Sequence, residues 1–331
     1  MRAANAETVR GRLAPSPTGL LHLGNALAFL LAWLGARAAG GAVVLRLEDI
    51  DPDRSRPEFA AAALHDLRWL GLDWDEGPDL GGPCGPYVQS RRLPLYQDAI
   101  ARLEAAGRVY PCFCTRRELR TLAGAPHADD GSTVYPGTCR GLSAAERERL
   151  GRTRRPTLRL DCGGPAGGGQ PIRFTDLVAG PQEMTPAECG GDFALRRSDG
   201  VVAYQLAVVV DDAAMGVTQV ARGADILTST PRQILLQRLL GLPTPDYAHL
   251  PLVLDHAGER LAKRHNSLTL AALRAAGARP ETVIGWLASA VGLTDSARPV
   301  HPGELVPAFE FRRVRREPVV LPEDIAGMLN R

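Results

Sequence analysis

The sequence predicts an α/β protein built on a doubly wound parallel sheet, because short apolar strands alternate with helices along the chain. The first unit consists of a strand at 9–14, an irregular turn at 15–19, a helix at 24–38 and a strand at 42–47. The second of these strands is continuously apolar, as expected where helices cover both faces of a parallel sheet. A right-handed crossover is therefore expected in the first unit.

The same alternation continues along the rest of the chain. Helices are predicted at 58–70, 94–106, 231–240, 268–276 and 281–291. Strands are predicted at 201–210 and 217–222, and an apolar strand followed by a turn at 250–258. Gly241, which directly follows one of the helices, is a typical signal for a helix C-terminus.

One segment interrupts this pattern. Glycine and proline are dense between residues 111 and 191, and three of the six cysteines lie near its start. We interpret this segment as an inserted subdomain. The chain is then divided into residues 1–110, 111–191, 192–258 and 259–331.

The composition is that of an ordinary globular protein. Hydrophobic residues make up 45% of the 331 residues and charged residues 23%, which excludes a disordered chain. The longest apolar run, at 26–36, is about half of the ~20 residues that a membrane span requires, and the start of the chain lacks an apolar signal segment. Six cysteines without such a signal indicate a reducing compartment. We therefore predict a cytoplasmic protein with no membrane partner, while its net charge of +2 neither requires nor excludes a nucleic acid partner.

Lysine is nearly absent from the chain. Lys263 is the only lysine among 39 basic residues, and all the others are arginines. Because a compact ammonium and a planar guanidinium are not interchangeable, a position that keeps lysine is a candidate for a point-charge role. The alternative is that lysine falls at this position by chance.

A candidate phosphate-binding segment follows the first strand. It reads Arg12-Leu-Ala-Pro-Ser-Pro-Thr-Gly-Leu-Leu-His22-Leu-Gly24-Asn25 and opens the helix at 24–38. The free N–H groups and the dipole of a helix N-terminus suit phosphate oxygens, Gly24 lets a ligand approach the backbone, and His22 can donate a hydrogen bond. The segment is neither a P-loop nor G-x-G-x-x-G, which disfavours those nucleotide-binding classes. A proline-rich turn with a surface histidine is the alternative.

Three motifs in this order resemble those of the class I aminoacyl-tRNA synthetases of the glutamyl type. Residues 14–24 are similar to the nucleotide-binding signature A-P-S-P-T-G-x-L-H-x-G of that family. The segment Arg46-Leu-Glu48-Asp-Ile-Asp51 is similar to its R-x-E-D-x-D, and Arg260-Leu-Ala-Lys263-Arg264 is similar to its K-M-S-K-S loop. The resemblance covers about residues 10 to 295. It implies a Rossmann-like catalytic domain in two halves, 1–110 and 192–258.

The resemblance also implies activation of L-glutamate with ATP and Mg²⁺ to give glutamyl-adenylate. The catalytic residues implied are His22 and Lys263, and the ATP-binding residues are His22, Gly24, Asn25, Arg260 and Lys263. Lys263 would neutralise the charge that develops on the departing pyrophosphate. Three positions differ from the family's pattern: Asn25 stands for a histidine, Arg260 for a lysine, and Ala262 for a serine.

The resemblance further places a set of residues around the amino acid. They are Arg12, Leu13, Ala14, Pro15, Ser16, Glu48, Tyr204 and Arg222. Glu48 would bind the ammonium group, with a surface carboxylate at a strand end as the alternative, and Tyr204 could equally belong to the core of a strand. A buried guanidinium at Arg222 requires an anionic partner, which a side-chain carboxylate supplies. Two cations facing one small ligand favour glutamate over glutamine.

The cysteines indicate a second site. Cys112, Cys114 and Cys139, with Tyr135 as the fourth ligand, resemble a zinc element found in part of the family. Three thiolates suit tetrahedral zinc, and three is the wrong number for a closed set of disulfides. His127 is a chemically commoner ligand and is the rival to Tyr135. We expect a structural zinc ion that supports a glycine-rich insertion, and inert thiols at Cys84, Cys162 and Cys189.

The length of the chain after Lys263 bears on the RNA substrate. Only 68 residues follow this lysine, whereas full glutamyl enzymes continue into an anticodon-binding domain, so we predict that this domain is absent. The shorter branch that this chain resembles attaches glutamate to the queuosine base in the anticodon loop of tRNA(Asp). By this resemblance, residues 111–191 form a zinc-bearing, RNA-facing subdomain, and residues 259–331 form the lysine loop and a helical region that contacts the RNA stem. We also expect a monomer.

Several arginines are candidates for contacts with RNA phosphates, although a solvated surface is the alternative for all of them. They are Arg152, Arg154, Arg155, Arg312, Arg313, Arg315 and Arg316. Two other functions stay open at this point. One is a discriminating glutamyl-tRNA synthetase that lacks a standard anticodon domain, and the other is a non-catalytic synthetase paralogue.

Overall fold

The computed structural model describes residues 8–115, 117–119, 135–163, 169–261 and 268–330. The strands in these residues are β1 (Arg10–Leu13), β2 (Ala42–Leu45), β3 (Val109–Cys112), β4 (Thr157–Leu160), β5 (Ile172–Asp176), β6 (Gly180–Met184), β7 (Ala194–Arg196), β8 (Gln219–Gly223), β9 (Asp246–Leu250), β10 (Val253–Leu254) and β11 (Val319–Val320). The α-helices are α1 (Leu23–Ala38), α2 (Pro57–Trp69), α3 (Leu93–Ala105), α4 (Ala144–Gly151), α5 (Tyr204–Ala214), α6 (Thr230–Leu240), α7 (Leu270–Ala275), α8 (Pro280–Ala290), α9 (Pro302–Leu305) and α10 (Ile325–Leu329).

The main sheet is parallel at its centre, as the sequence predicts. β1 pairs with β2, and β8 pairs with β9, both in parallel. β1 lies beside β8, because the Thr218 N–H donates to the Arg10 carbonyl at 2.9 Å and the Arg10 N–H donates to Thr218 Oγ1 at 2.8 Å. β5 continues the sheet parallel to β9, and β6 is its antiparallel neighbour.

The strand order therefore reverses between β1 and β8. The chain runs outward from β1 to β2 on one side, and from β8 to β9 on the other. Such a reversal opens a crevice at the carboxyl ends of the two central strands, where open α/β sheets bind their ligands. Helix α1 packs against β1, β2 and β8 and buries Leu27, Leu30, Leu31 and Leu34. This is a Rossmann-like α/β arrangement.

One predicted strand is wrong. Residues 201–210 do not form a strand, because Tyr204–Ala214 is the helix α5. The run from Leu206 to Val210 is buried throughout, since α5 packs against α3 and α6. A fully apolar run has no periodicity that separates a buried strand from a buried helix. Tyr204 is consequently not part of a strand core but the first residue of α5, with 39% of its surface exposed.

Most other predicted elements are confirmed to within a few residues, whereas only the two-residue β10 lies inside the range 250–258 predicted for a strand and turn, because β9 ends at Leu250. The helix predicted at 24–38 is α1, that at 58–70 is α2, that at 94–106 is α3 and that at 231–240 is α6. The strand predicted at 217–222 is β8. The small differences lie at element ends, where helices fray and boundaries are least defined.

A second, antiparallel sheet consists of β3, β4 and β7. It begins at the end of α3 and contains the first of the clustered cysteines, Cys112, as the last residue of β3. Within the segment 111–191, β5 and β6 do not join this small sheet: β5 pairs with β9 of the main sheet, and β6 pairs with β5. The second half of the insertion is therefore hydrogen-bonded to the main sheet.

The helices after residue 268 share a hydrophobic core with α1. Buried apolar residues of α8, α9 and α10 belong to the same cluster as Leu30 and Leu34. β11 returns to pair with β10 in parallel. Among the described residues, no helix has both the length and the apolar character that crossing a bilayer requires.

Candidate active site and candidate metal centre

His22 is the residue that begins helix α1. Its Nδ1 accepts a hydrogen bond from the Gly24 N–H at 3.1 Å, so the side chain caps the helix. In a neutral imidazole one nitrogen accepts and the other donates, so this bond assigns the ring hydrogen to Nε2. His22 therefore offers an N–H donor beside the positive end of a 16-residue helix.

Asn25 closes the same cap from the other side. Its Oδ1 accepts from the His22 backbone N–H at 3.0 Å, which completes a capping box. The asparagine that stands for a histidine of the family's pattern thus fixes the start of α1. Gly24 lies between the two, and a Cβ there would come within 3.0 Å of His22 Cε1. A side chain at Gly24 would push the imidazole out of place.

Two cavities meet at this helix start, and His22 and Asn25 line both. The smaller, of about 230 Å³, extends over Gly223 and Pro251 to Arg260. The larger, of about 530 Å³, extends along the loop from Pro15 to Leu21 toward Phe59. Asp225 and Arg260 form an ion pair at the rim of the smaller cavity.

Gly223 keeps the smaller cavity open. A Cβ at this position would lie 2.5 Å from Asp225 Oδ1 and 3.3 Å from Leu252 Cδ2. Leu261 lines both cavities. Lys263 and Ala262, the predicted catalytic lysine and its neighbour, lie outside the described residues.

A buried network of charges lies at the carboxyl ends of β1 and β2. Arg46 is fully buried, and its two Nη atoms contact Asp212 Oδ1 at 2.7 Å and Glu48 Oε1 at 3.0 Å. Arg12 donates from Nη1 to the Ala221 carbonyl at 2.9 Å, and its Nε lies 3.6 Å from Asp212 Oδ1. The network links β1, β2, β8 and α5 at the point where the strand order reverses.

Asp212 was not recognised from the sequence as a site residue. Its only signal was a pair of acids, Asp211 and Asp212, at the end of an apolar run. Asp211 is fully buried and accepts from Arg92 at 2.6 Å and from the Tyr96 hydroxyl at 2.8 Å, so it ties α3 to α5. Asp212 contacts Arg12 and Arg46, and Asp211 Oδ2 also lies 3.9 Å from Arg46 Nε.

Glu48 and Tyr204 share the electrostatic environment of this network. Burial raises the pKa of Glu48 above its usual range, and the charges of Arg46 and Arg12 act against that rise. The pKa of Tyr204 is also raised, first by the desolvation that its neighbours cause although part of its surface is exposed, and the charges of Arg222, Glu48 and Arg12 act on it as well. Arg12, Glu48, Tyr204 and Arg222, which come from four separate segments of the chain, therefore lie within electrostatic reach of one another.

Arg222 is buried without an acidic partner among the described residues. Its Nε donates to His249 Nε2 at 3.0 Å, Nη1 donates to Gln233 Oε1 at 2.6 Å, and Nη2 donates to Thr230 Oγ1 at 2.7 Å. All three acceptors are neutral groups. A guanidinium in such surroundings keeps its full charge for an anion.

Of the remaining predicted glutamate-binding residues, Leu13 is the last residue of β1 and the others belong to the loop that follows it. The Leu13 side chain is fully buried in the core, and its carbonyl accepts from the Arg46 N–H at 2.9 Å. The Pro15 carbonyl accepts from the Glu48 N–H at 3.0 Å, which joins this loop to the segment after β2. Ala14 and Ser16 line the larger cavity. Leu13 can thus contribute only backbone atoms to a site.

The predicted metal ligands do come together. The Sγ atoms of Cys112, Cys114 and Cys139 lie within 4.8 Å of one another, and those of Cys114 and Cys139 are 3.6 Å apart. The Tyr135 hydroxyl lies 3.3 Å from Cys112 Sγ. A disulfide requires about 2.05 Å, whereas tetrahedral Zn–S bonds of about 2.3 Å place two sulfurs nearly 4 Å apart. The three thiols and the phenol thus fit a tetrahedral ion.

The surroundings of this cluster favour the ionised form of Cys112, whereas burial raises the pKa of Cys114 to about 12 and also raises the pKa of Tyr135. Burial alone raises the pKa of Cys112, but the nearby Arg159 guanidinium and hydrogen bonds hold it below its usual value. Arg159 also lies over the Tyr135 ring, 3.9 Å from its centre. The Cys139 N–H donates to the Tyr135 oxygen at 2.8 Å. His127, the rival ligand, lies outside the described residues.

The arginines expected to contact RNA phosphates are exposed in the structure. Arg152 pairs with Glu148, Arg154 with Glu118 and Arg312 with Glu310. Exposed pairs of this kind are weak and exchange readily for other partners. Their placement is compatible with a solvated surface and with a phosphate-binding surface alike.

Comparison with known proteins identifies the family. Residues 8–299 match the family described as tRNA synthetases class I (E and Q), catalytic domain. The chain is 57% identical over 324 residues to the Glutamyl-Q tRNA(Asp) synthetase of Symbiobacterium thermophilum, covering 97% of this chain and 98% of the relative. It is equally 57% identical to the protein of that name from Nitratidesulfovibrio vulgaris, covering 98% of each.

A solved structure supports the same assignment. The fold is similar to that of a glutamate tRNA ligase from Elizabethkingia meningosepticum, solved in complex with its amino acid, with a TM-score of 0.81 and 28% identity. The match covers 98% of this chain and 69% of that chain. The chain is therefore a ligase-type enzyme that belongs to the class I tRNA synthetases for glutamate and glutamine, and among them to the glutamyl-Q tRNA(Asp) synthetase family.

Proposed function

We propose that this enzyme activates L-glutamate with ATP to glutamyl-adenylate and transfers the glutamyl group to the queuosine base in the anticodon loop of tRNA(Asp). The observation that carries the proposal is Arg222, a buried guanidinium with neutral partners that faces the network of Arg12, Glu48 and Tyr204. Apart from Arg46 and Asp212, which pair with each other, the site thus offers one carboxylate, Glu48, and two cations, Arg12 and Arg222. L-Glutamate carries one ammonium group and two carboxylates, and so matches this set.

Each charged group of glutamate then has a partner. Glu48 binds the α-ammonium group, and its own position is held by Arg46. Arg222 binds the side-chain carboxylate, for which glutamine has only a neutral amide. Arg12 and Tyr204, with backbone groups of residues 13–16, complete the pocket. Discrimination against glutamine follows because an amide leaves a buried cation without its counter-charge.

ATP binds at the start of α1. The Nε2 hydrogen of His22, the first N–H groups of α1 and the side chain of Asn25 are donors for phosphate oxygens. The smaller cavity, between Gly24, Gly223 and Pro251, accepts the nucleoside, with Arg260 at its rim. Lys263, assigned by resemblance, neutralises the pyrophosphate together with Mg²⁺. The glutamate carboxylate attacks the α-phosphate, and pyrophosphate leaves.

The cysteine cluster holds a zinc ion with a structural role. Cys112, Cys114, Cys139 and Tyr135 supply the four ligands, whose oxygen and sulfur atoms are already gathered at one point. When bound, the ion cross-links β3 to the segment that begins at Tyr135. The charge of Arg159 offsets part of the excess negative charge of these ligands.

The choice of queuosine in tRNA(Asp) as acceptor is supported by the names of relatives that match this chain over 98% of their own length.

We propose the division into catalytic halves 1–110 and 192–258, an RNA-facing zinc-bearing part at 111–191, and a lysine-loop and stem-contact part at 259–331. The exposed arginines of the second and fourth parts face the RNA phosphates. A cytoplasmic location accords with a tRNA substrate. We expect a monomer, which is checked by measuring the molar mass with light scattering as the protein elutes from a size-exclusion column.

The first test is ATP–pyrophosphate exchange without RNA, with glutamate and glutamine in parallel. We expect exchange with glutamate and not with glutamine. Labelled glutamate is then offered with tRNA(Asp) that contains queuosine, with tRNA(Asp) that contains guanine at the same position, and with tRNA(Glu). Transfer to the queuosine form alone supports the proposal. Transfer to tRNA(Glu) assigns a conventional glutamyl-tRNA synthetase, and absence of exchange under every condition contradicts catalysis.

A further inference from the structure

Arg222 is held by a chain of buried polar groups behind the site. Asp176 Oδ2 lies 2.6 Å from His249 Nδ1, and His249 Nε2 lies 3.0 Å from Arg222 Nε. The side chains of Asp176 and His249 are fully buried. Asp176 ends β5, Arg222 lies on β8 and His249 on β9 between them. Three adjacent strands thus contribute one residue each to a single line of hydrogen bonds.

The positions of the hydrogens in this chain follow from the partners. An ionised carboxylate only accepts, so His249 Nδ1 carries the ring hydrogen and donates it to Asp176. Nε2 is then bare and accepts from Arg222 Nε. Thr230 Oγ1 lies 3.1 Å from the same nitrogen. The His249 ring must be neutral with its hydrogen on Nδ1 for Arg222 to be bound in this way.

The partners of Arg222 direct it without neutralising it. Three of the five guanidinium N–H groups are used by His249, Gln233 and Thr230, which leaves one on each Nη with no partner among the described residues. A carboxylate accepts two parallel N–H groups from such a guanidinium. An acidic partner in place of His249 would hold Arg222 equally well but would cancel the charge that distinguishes glutamate from glutamine.

We propose that Asp176 and His249 are positioning residues that set amino-acid specificity: Asp176 fixes the tautomer of His249, and His249 fixes Arg222 as an oriented, uncompensated cation. This inference rests on the proposed binding of the glutamate side chain by Arg222. Neither residue touches the substrate. Both act through the orientation of Arg222.

The substitution Asp176→Asn tests the tautomer directly. Asp176 Oδ1 accepts from the Val178 N–H at 2.9 Å and the Ala179 N–H at 2.7 Å, so the amide oxygen of an asparagine would stay on that side. Its NH₂ group would then face His249 Nδ1 and donate to it. The ring hydrogen would move to Nε2 and point at Arg222 Nε–H, which would force the guanidinium away. A change of one carboxylate oxygen to NH₂ thus exchanges the donor and acceptor roles of the two ring nitrogens of His249.

We expect D176N to raise the KM for glutamate by about 10- to 100-fold and to reduce the preference for glutamate over glutamine, with kcat changed much less. In ¹⁵N-histidine spectra of the whole protein, the signal lost in H249Q identifies His249 among the seven histidines. That signal should report a hydrogen on Nδ1 in the unsubstituted enzyme and on Nε2 in D176N. In the H249Q background, where no ring tautomer exists, D176N should add little to the KM.

Asp66→Asn is the matched control. Asp66 is a fully buried carboxylate that pairs with Arg274, between α2 and α7 and away from Arg222. Its loss should lower the unfolding midpoint without moving the glutamate KM or the His249 signal. The proposal is overturned if D176N leaves both the KM and the tautomer unchanged, or if D66N shifts them equally. If the unsubstituted enzyme shows no exchange with glutamate, the proposed function fails, while the His249 spectrum still decides whether the tautomer is fixed by Asp176.

Discussion

Glu48 is a carboxylate just after the end of β2 that pairs with Arg46 at 3.0 Å and lies within electrostatic reach of Arg12. Burial raises its pKa above the usual range, against the effect of Arg46 and Arg12. A raised pKa means that the carboxylate takes up a proton earlier as the pH falls, and its charge is then lost to the substrate ammonium. We therefore expect the glutamate KM to rise as the pH drops through this pKa. This rise is measured as the glutamate KM in pyrophosphate exchange between about pH 5 and about pH 8.

Glu48→Gln removes the titrating group. We expect a glutamate KM at neutral pH about 10- to 100-fold higher, because a charge-assisted hydrogen bond is lost. The acidic rise in KM should disappear in this variant. Glu104→Gln, an exposed position on α3, is the control and should retain the profile of the unsubstituted enzyme. If the glutamate KM of E48Q still rises at acidic pH, a group other than Glu48 is responsible for that rise.

Lys263 is the only lysine of the chain, so its replacement removes the only ammonium side chain. Loss of one preorganised donor to a developing charge costs about 3–4 kcal/mol in the transition state. We expect Lys263→Ala to slow adenylate formation at least about a hundredfold, measured as glutamate-dependent exchange. Lys263→Arg keeps the positive charge but replaces the compact ammonium with a planar guanidinium. This variant therefore shows whether the charge alone is sufficient or the compact shape is also required. A near-normal rate in K263A would exclude this residue from the mechanism.

Single residues of the site were predictable where they carry a motif and not where they act through a neighbour. His22 was predicted from its motif at the helix start, and the family resemblance placed Glu48 and Arg222 around the amino acid. Asp212 and His249 were not, because each belongs to a distant segment whose closeness depends on strand order. The cap formed by Asn25 was also missed, since a change from the family's histidine gives no sign of its new partner.

At the scale of an element, the start of α1 combines stability with ligand binding. Asn25 satisfies the backbone N–H of His22, and His22 satisfies that of Gly24. We expect Asn25→Ala to lower the free energy of unfolding by about 1 kcal/mol, the usual value of a cap, and to raise the KM for ATP several-fold. Urea denaturation and exchange kinetics measure the two effects.

Ser143→Ala is the matched control for this cap. Ser143 and Glu146 form a capping box at the start of α4, away from both cavities. Its loss should lower stability by a similar amount and leave the KM for ATP unchanged. An equal effect of the two variants on the KM for ATP would show that the α1 cap has no special role in binding.

Helix α5 shows why elements fail to follow from sequence alone. Its apolar run was predicted as a strand because valine and leucine without periodicity fit both. The acids that follow this run do not distinguish the two. Asp211 pairs with Arg92, and Asp211 and Asp212 both contact Arg46, while neighbouring side chains diverge in a strand as well as in a helix. α1 and α6 were predicted correctly because capping or terminal residues delimit them.

At the scale of the whole molecule, the site is assembled by the reversal of strand order. Arg12, Glu48, Tyr204 and Arg222 come from segments up to 210 residues apart and meet only because β8 lies beside β1. Residues 111–191 lie between the two halves in sequence. Some buried residues of the insertion, such as Leu160 and Ile172, pack into cores shared with the catalytic halves. The cysteine cluster of this insertion, by contrast, has a small core of its own, formed by Tyr110, Cys112, Tyr135 and Cys139. Events in this cluster should therefore reach the catalytic site weakly.

Zinc removal tests this separation of roles. Cys139→Ser deletes one of the three thiolates, and we expect the zinc content of the purified protein to fall from about one ion per chain to near zero. The glycine-rich segment then loses its cross-link, so transfer of glutamate to tRNA should fall at least about tenfold and the unfolding midpoint should drop. Exchange without RNA should stay within about twofold, because ATP and glutamate bind at the other sheet.

Cys162→Ser, a buried cysteine outside the cluster, should keep both the zinc and the transfer activity. Retention of zinc in C139S would contradict the ligand set, and a parallel loss of exchange and transfer would show that the ion supports the catalytic halves as well.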